Sequence, residues 1–100
     1  MRKITRLAIS SFININSFKL SNTSVFSDNG WVVLALYGKA IAKHRNGVLQ
    51  ITIGDYQTRT TISRLNGIPG VHVKTKKGQM YLNGEAWNGS WIQIFSWSQM

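Results

Sequence analysis

The sequence predicts an α+β fold, a single small domain over residues 1–100 with an antiparallel β-sheet meander and two short helices. First, Asn-Gly pairs recur between apolar-rich runs, and this pattern is the strongest short-range sign of a β-hairpin because both residues tolerate positive φ. Second, apolar residues take helical spacing at the N-terminus and near residues 59–66. Third, 100 residues with 43% hydrophobic content suit one core.

The predicted helices have different local signals. An N-terminal helix over residues 3–13 would gather its apolar side chains on one face, at Ile4, Leu7, Ala8 and Phe12. The second helix, over residues 59–66, begins at a capping Thr58 and turns Ile62 and Leu65 inward. Gly67 at the C′ position, with an expected positive φ, and Pro69 beyond it should end this helix.

The Asn-Gly pairs separate runs that favour β-structure. They stand at residues 29–30, 46–47, 66–67, 83–84 and 88–89, and Lys77-Gly78 adds a further turn. About seven short strands are predicted, over residues 23–27, 31–37, 40–45, 48–53, 71–76, 79–82 and 91–97.

Charge is the strongest indication of function. Twelve lysines and arginines stand against three acids, Asp28, Asp55 and Glu85, and give a net charge of +9. Such an excess suggests nucleic acid, a nucleotide, an anionic membrane face or an acidic protein as partner, although some small proteins are basic for solubility alone. Because no apolar run approaches the ~18 residues of a membrane span, we expect no membrane partner.

Cysteine usage gives no information on localisation. The chain has no Cys, so disulfides and thiolate metal sites are excluded but the compartment is not revealed. Its basic start is not followed by a cleavage site, and we expect a complete chain that acts in the cytoplasm.

Basic residues cluster on particular strands and on the second helix. Lys39, Lys43 and Arg45 have near-alternate spacing and should share one strand face, as should His72, Lys74 and Lys76. We expect these six residues to form one extended electropositive surface. The candidate ligand-binding residues, including two aromatic rings near turns, are Lys39, Lys43, Arg45, Arg59, Arg64, His72, Lys74, Lys76, Lys77, Tyr81 and Trp87.

Aromatic residues can either stack on bases or fill a core. Tyr81 and Trp87 lie beside Asn-Gly turns, where an exposed ring next to a cation could stack on a base. Trp31 and Trp91 are predicted to lie in the core.

The sequence predicts no catalytic site, metal or cofactor. Its three carboxylates fall in separate turns and loops, whereas two-metal and glycosidase chemistry needs them clustered. His44 and His72 remain as a possible acid and base for metal-free phosphodiester cleavage, but two histidines in a basic chain are more often surface residues. We therefore expect no enzyme activity.

Residues 31–91 resemble a family of small tailed-bacteriophage proteins of unknown function. The resemblance covers about two-thirds of the chain, and its most distinctive blocks are Arg64-Leu65-Asn66-Gly67-Ile68-Pro69-Gly70-Val71, Lys77-Gly78, Tyr81-Leu82-Asn83-Gly84 and Trp87-Asn88-Gly89-Ser90-Trp91. Family members often carry acids where this chain has Ile62-Ser63 and Asn88, which makes this member unusually basic. The resemblance implies an origin and no catalytic residue.

The sequence and the resemblance together predict a non-enzymatic phage accessory protein in the host cytoplasm. Its expected partner is nucleic acid, bound through phosphate contacts with little base specificity. The alternative is an inhibitor of a host anti-phage defence system that binds an acidic host protein or sequesters a nucleotide. A nucleotide pocket would draw on Arg64, Lys74, Tyr81 and Trp87. A virion component and a homo-oligomer also remain open.

Overall fold

A six-stranded antiparallel sheet dominates the computed structural model, which describes residues 3–54 and 58–94. Its strands are β1 (Phe18–Leu20), β2 (Thr23–Asp28), β3 (Trp31–Leu36), β4 (Lys39–Arg45), β5 (Val48–Ile51) and β9 (Ile92–Ile94). The first five form a meander, and β9 pairs with the outer edge of β5. Three hairpins turn on two successive residues with positive φ, at residues 29–30, 37–38 and 46–47. Such turns match the twist of antiparallel strands.

The remaining strands form a separate three-stranded antiparallel sheet. It contains β6 (Val73–Lys76), β7 (Gln79–Leu82) and β8 (Glu85–Ala86), with β7 in the centre. The predicted α+β class and antiparallel pairing are confirmed, but the prediction of one meander of seven strands is wrong. A helix occupies the chain between β5 and β6, and the free edge of β5 pairs with β9 instead. The predictions also missed β1 and β8, which have three residues or fewer.

Both helices have the predicted bounds, α1 (Lys3–Ile13) and α2 (Arg59–Asn66). The Thr58 hydroxyl caps α2 by accepting a hydrogen bond of 3.1 Å from the Thr61 amide. The buried face of α1 differs from the prediction. It consists of Thr5, Ala8, Ile9 and Phe12, while Leu7 is 39% exposed. Thr5 is accommodated on the buried face because its hydroxyl accepts a hydrogen bond from Arg64 in α2.

Gly67 ends α2 as predicted, but for a different reason. Its φ is −75°, so the expected positive φ is wrong. A Cβ at this position would lie 2.8 Å from Ile9 Cγ1 and 2.9 Å from Thr5 Cγ2. Glycine is therefore required here by the close approach of the two helices.

One hydrophobic cluster joins both helices and both sheets. It includes Phe12 and Leu65 from the helices, Leu34 from the large sheet and Met80 from the small sheet. Each sheet thus turns one face toward this core and the other away from it. The outward faces are the two surfaces on which functional side chains can be presented.

Candidate functional site

The outward face of the β6–β7 hairpin is basic. Lys74 pairs with Tyr81 and Lys76 pairs with Gln79, and directly paired residues project from the same side of a sheet. The alternate residues Val73, Met80 and Leu82 are buried on the other side. The predicted shared face of Lys74 and Lys76, and the position of Tyr81 opposite Met80 and Leu82, are confirmed. His72 lies just before β6 and is exposed.

Two neighbouring residues extend this surface. Arg59, in the first turn of α2, lines a groove together with Lys74. A second groove is lined by Lys74, His72 and the Asn83-Gly84 turn. Lys77 lies in the β6–β7 turn, with a φ of 51°. We call this surface the basic hairpin face, and it consists of Arg59, His72, Lys74, Lys76, Lys77 and Tyr81.

Acidic residues are directed away from the basic hairpin face. Glu85 pairs with the buried Leu82, so its side chain takes the opposite side of the sheet from Tyr81. Asp28 belongs to the large sheet, and Asp55 lies outside the described residues. Within residues 3–54 and 58–94, this surface therefore carries cations without a carboxylate on the same strand face.

The prediction that Arg64 binds a ligand is wrong, because its side chain lies in the core. Arg64 is 2% exposed. Its Nε donates a 3.1 Å hydrogen bond to Thr23 Oγ1, and its Nη1 donates one of 2.5 Å to Thr5 Oγ1. The guanidinium thereby connects α2 to α1 and β2, and its role is structural.

Trp87 was also predicted as a binding residue, and this prediction is wrong. The ring is 6% exposed and belongs to the hydrophobic cluster. Its Nε1 donates a 3.0 Å hydrogen bond to the Ser90 carbonyl, which satisfies the polar end of the indole. A nucleotide pocket built from Arg64, Lys74, Tyr81 and Trp87 is therefore not formed, because two of its four members are buried.

Lys39 does not share a face with Lys43 and Arg45. The register of β3 and β4 shifts between Leu34 and Ala35, so that Ala40 and Lys43 take the same side. A bulge of this kind inserts one residue and reverses the side-chain alternation. Lys39 consequently lies on the opposite side of the sheet from Lys43, where it lines a groove together with Leu36 and Ile41. The six basic residues expected on one surface are thus divided between the two sheets, and Lys39 lies on a different face from Lys43 and Arg45.

Two tryptophans flank Lys43 on the outward face of the large sheet. Lys43 Nζ lies 4.7 Å from the centroid of the Trp31 ring and 4.9 Å from that of the Trp91 ring. Arg45 Cζ lies 5.7 Å from the Trp31 centroid. We call this surface the tryptophan face, and it consists of Trp31, Lys43, Arg45, Gln50, Trp91 and Gln93.

Core positions were predicted for both of these tryptophans. Trp91 is instead 45% exposed, and Trp31 is half-buried. Trp31 is followed in sequence by Val32, which enters the core, whereas Trp91 is followed by Ile92, which is itself exposed. Hydrophobicity alone could not show which side they take.

The two histidines occupy different environments. His44 is buried, its Nε2 lies 2.6 Å from the Phe12 carbonyl oxygen, and its ring packs edge-on against that of Phe12. His72 is exposed on the basic hairpin face. These surroundings do not bring the histidines together as an acid and a base. In the described ranges, His, Asp and Glu side chains form no group of three that could hold a metal ion.

Neither helix in residues 3–54 and 58–94 has the length and apolar character needed to cross a bilayer.

Comparison with known proteins identifies the family of this chain. Neither the curated proteins nor the solved structures give a match. The family described as Kyanoviridae Gp96 protein matches residues 1–97, in agreement with the resemblance to phage proteins. The chain therefore belongs to the Kyanoviridae Gp96 protein family, a family of phage proteins.

Proposed function

We propose that this phage protein is a non-enzymatic accessory factor that binds nucleic acid in the host cytoplasm through its basic hairpin face. The observation that carries the proposal is the pairing of Lys74 with Tyr81. It places a cation directly beside a half-buried aromatic ring, with Lys76 further along the same strand and Lys77 in the turn that follows. Phosphate contacts by lysine and arginine provide most of the affinity in binding of this kind.

The arrangement suits a ligand with several phosphates better than one with a single phosphate. Lys74 and Lys76 point the same way from alternate positions of a strand, about 6.6 Å apart. Arg59 reaches the same surface from α2 through the groove that it shares with Lys74. A row of separated cations follows a backbone of repeated charges, whereas a small nucleotide needs cations that converge.

Low base specificity is expected at this surface. Its charged groups are mostly lysines, which contact phosphate as point charges and carry no sequence information. Tyr81 can stack on any base, because every base has a π-face. The protein should therefore bind many sequences with similar affinity.

A triple substitution of Lys74, Lys76 and Lys77 by Ala tests this proposal. Because these cations neutralise phosphates, we expect the variant to bind every oligonucleotide more weakly by a similar factor. The slope of log K against log salt should fall by about 0.7 to 0.9 for each phosphate that the variant no longer neutralises. The measurement is fluorescence anisotropy with labelled oligonucleotides at several salt concentrations.

The matched control removes three exposed cations elsewhere, by replacing Lys3, Arg6 and Lys19 with Ala. It changes the net charge equally but should retain most of the salt slope. An equal loss of affinity in both variants would mean that overall charge, rather than this surface, governs binding. If the parent protein bound no nucleic acid at low salt, the proposal would be wrong. The basic hairpin face would then fit one of two other roles. It could bind an acidic host protein, or its lysines could protect the edge strand β6 from pairing with another chain.

A further inference from the structure

The tryptophan face is distinct from the basic hairpin face in chemistry as well as position. It lies on the large sheet, on the side opposite the residues that pack under α1. Lys43 pairs with both Val33 and Gln50, and Gln50 pairs with Gln93, so these side chains form a row across the four strands β3, β4, β5 and β9. Trp31 and Trp91 lie on either side of this row along the strands.

We propose that the tryptophan face binds unpaired bases, and therefore that the nucleic acid bound by this protein includes single-stranded segments. The inference rests on the proposed function for the class of partner. It adds a second contact surface and a preference for single strands. Duplex bases are stacked on each other and cannot reach an aromatic ring on a sheet, whereas single-stranded bases can.

Aromatic exposure supports this assignment. Trp91 is 45% exposed although its chain neighbourhood is tied to the core through Trp87 and Gly89. A large ring at the surface beside a cation is the arrangement on which unpaired bases stack. Lys43 holds both rings by cation–π contact, which limits their rotation before a ligand arrives.

Polar groups beside the rings suit bases better than they suit a protein partner with an apolar surface. The Gln50 and Gln93 amides are direct cross-strand neighbours, and each offers donors and an acceptor for base edges. Arg45 is exposed at one end of the face and can contact phosphate.

The charge balance of this surface separates it from the basic hairpin face. Asp28 pairs with Trp31 and places a carboxylate at the rim. Lys43 and Arg45 outnumber it, but their excess is smaller than that of the basic hairpin face. Binding here should therefore depend more on stacking and less on salt.

The test compares a short oligo(dT) strand with a DNA duplex of the same length, using the full chain. Trp91→Leu removes the ring but keeps an apolar side chain of moderate size. We expect it to weaken single-strand binding roughly 5- to 150-fold per stacked base and to leave duplex binding unchanged. Trp31→Leu provides a second variant if Trp91→Leu does not fold.

Tyr37→Leu is the matched control, because Tyr37 is a 77% exposed ring in the β3–β4 turn, outside the tryptophan face. This substitution should change neither the affinity for the single strand nor the affinity for the duplex. Unchanged single-strand affinity in Trp91→Leu and Trp31→Leu would overturn the inference, as would equal losses of affinity for single strand and duplex. In either case the proposed function would stand if the triple lysine variant still bound more weakly than the parent. If the parent protein bound neither the single strand nor the duplex, the proposed function and this inference would both be wrong.

Discussion

Gly89→Ala is expected to lower the free energy of unfolding by about 3 kcal/mol, as the combined effect of backbone strain and overpacking. Gly89 has a φ of 89°, where a residue with a Cβ is strained. Its added methyl would also lie 2.5 Å from Ile53 Cγ2 and 3.2 Å from Met80 Cε. Since Ile53 follows β5 and Met80 belongs to β7, the methyl would push the two sheets apart.

Gly89 also holds the end of β5 through its backbone. Its carbonyl accepts hydrogen bonds of 2.9 Å from the Ile53 amide and 2.8 Å from the Thr52 hydroxyl. A shift of the turn to relieve the clash would lengthen both bonds. The protein therefore has no easy way to accommodate the substitution.

Gly84→Ala separates the two causes. Gly84 has almost the same φ, 88°, but a Cβ there would meet no heavy atom within 4 Å. We expect the free energy of unfolding to fall by about 1 kcal/mol, from backbone strain alone. Urea unfolding of both variants measures the difference. Equal destabilisation by Gly84→Ala and Gly89→Ala would show that the sheets do not approach each other closely at this turn.

Arg64→Ala should destabilise the protein by about 3–5 kcal/mol, because it opens a cavity and removes donors from buried hydroxyls. Thr5 is fully buried and Thr23 nearly so, and each accepts a hydrogen bond from the Arg64 guanidinium. Without this side chain, the hydrogen bonds that connect α2 to Thr5 in α1 and to Thr23 in β2 would be lost. The unfolding midpoint in urea measures the effect.

Arg64→Met distinguishes packing from hydrogen bonding, because Met fills the space without offering donors. We expect it to recover part of the stability that Arg64→Ala removes and to leave nucleic-acid affinity unchanged. A stable Arg64→Met protein with greatly weakened binding would contradict the structural role and return Arg64 to the binding site.

Local signals in the sequence were enough to predict much of the fold. The capping hydroxyl of Thr58 and the residues after Asn66 determined the bounds of α2, since helix ends depend on neighbouring residues. The β2–β3 and β4–β5 hairpins followed from Asn-Gly pairs for the same reason, whereas the β3–β4 hairpin turns on Tyr37-Gly38. The division into two sheets was not predictable, because the edge of β5 pairs with β9, and Ile51 opposes the distant Ile92.

Predictions of side-chain orientation were correct where alternation was regular and wrong where distant contacts decided the orientation. The β6–β7 hairpin has no irregularity, so period-two spacing placed Lys74 and Tyr81 correctly. On β4 the register shift separated Lys39 from Lys43, and no residue type marks the bulge. The burial of Arg64 depends on hydroxyls at residues 5 and 23, which spacing within α2 cannot show.

The most direct test of nucleic-acid binding by the basic hairpin face is a map of amide chemical-shift changes, with a DNA duplex added to isotope-labelled protein at low salt. The duplex limits binding to phosphate contacts, so that stacking on the tryptophan face does not contribute. We expect the largest changes at residues 72–82 and 59–63, with little change at Trp31, Lys43 and Trp91. An absence of shift changes at saturating duplex, or changes confined to residues outside these two segments, would contradict the account.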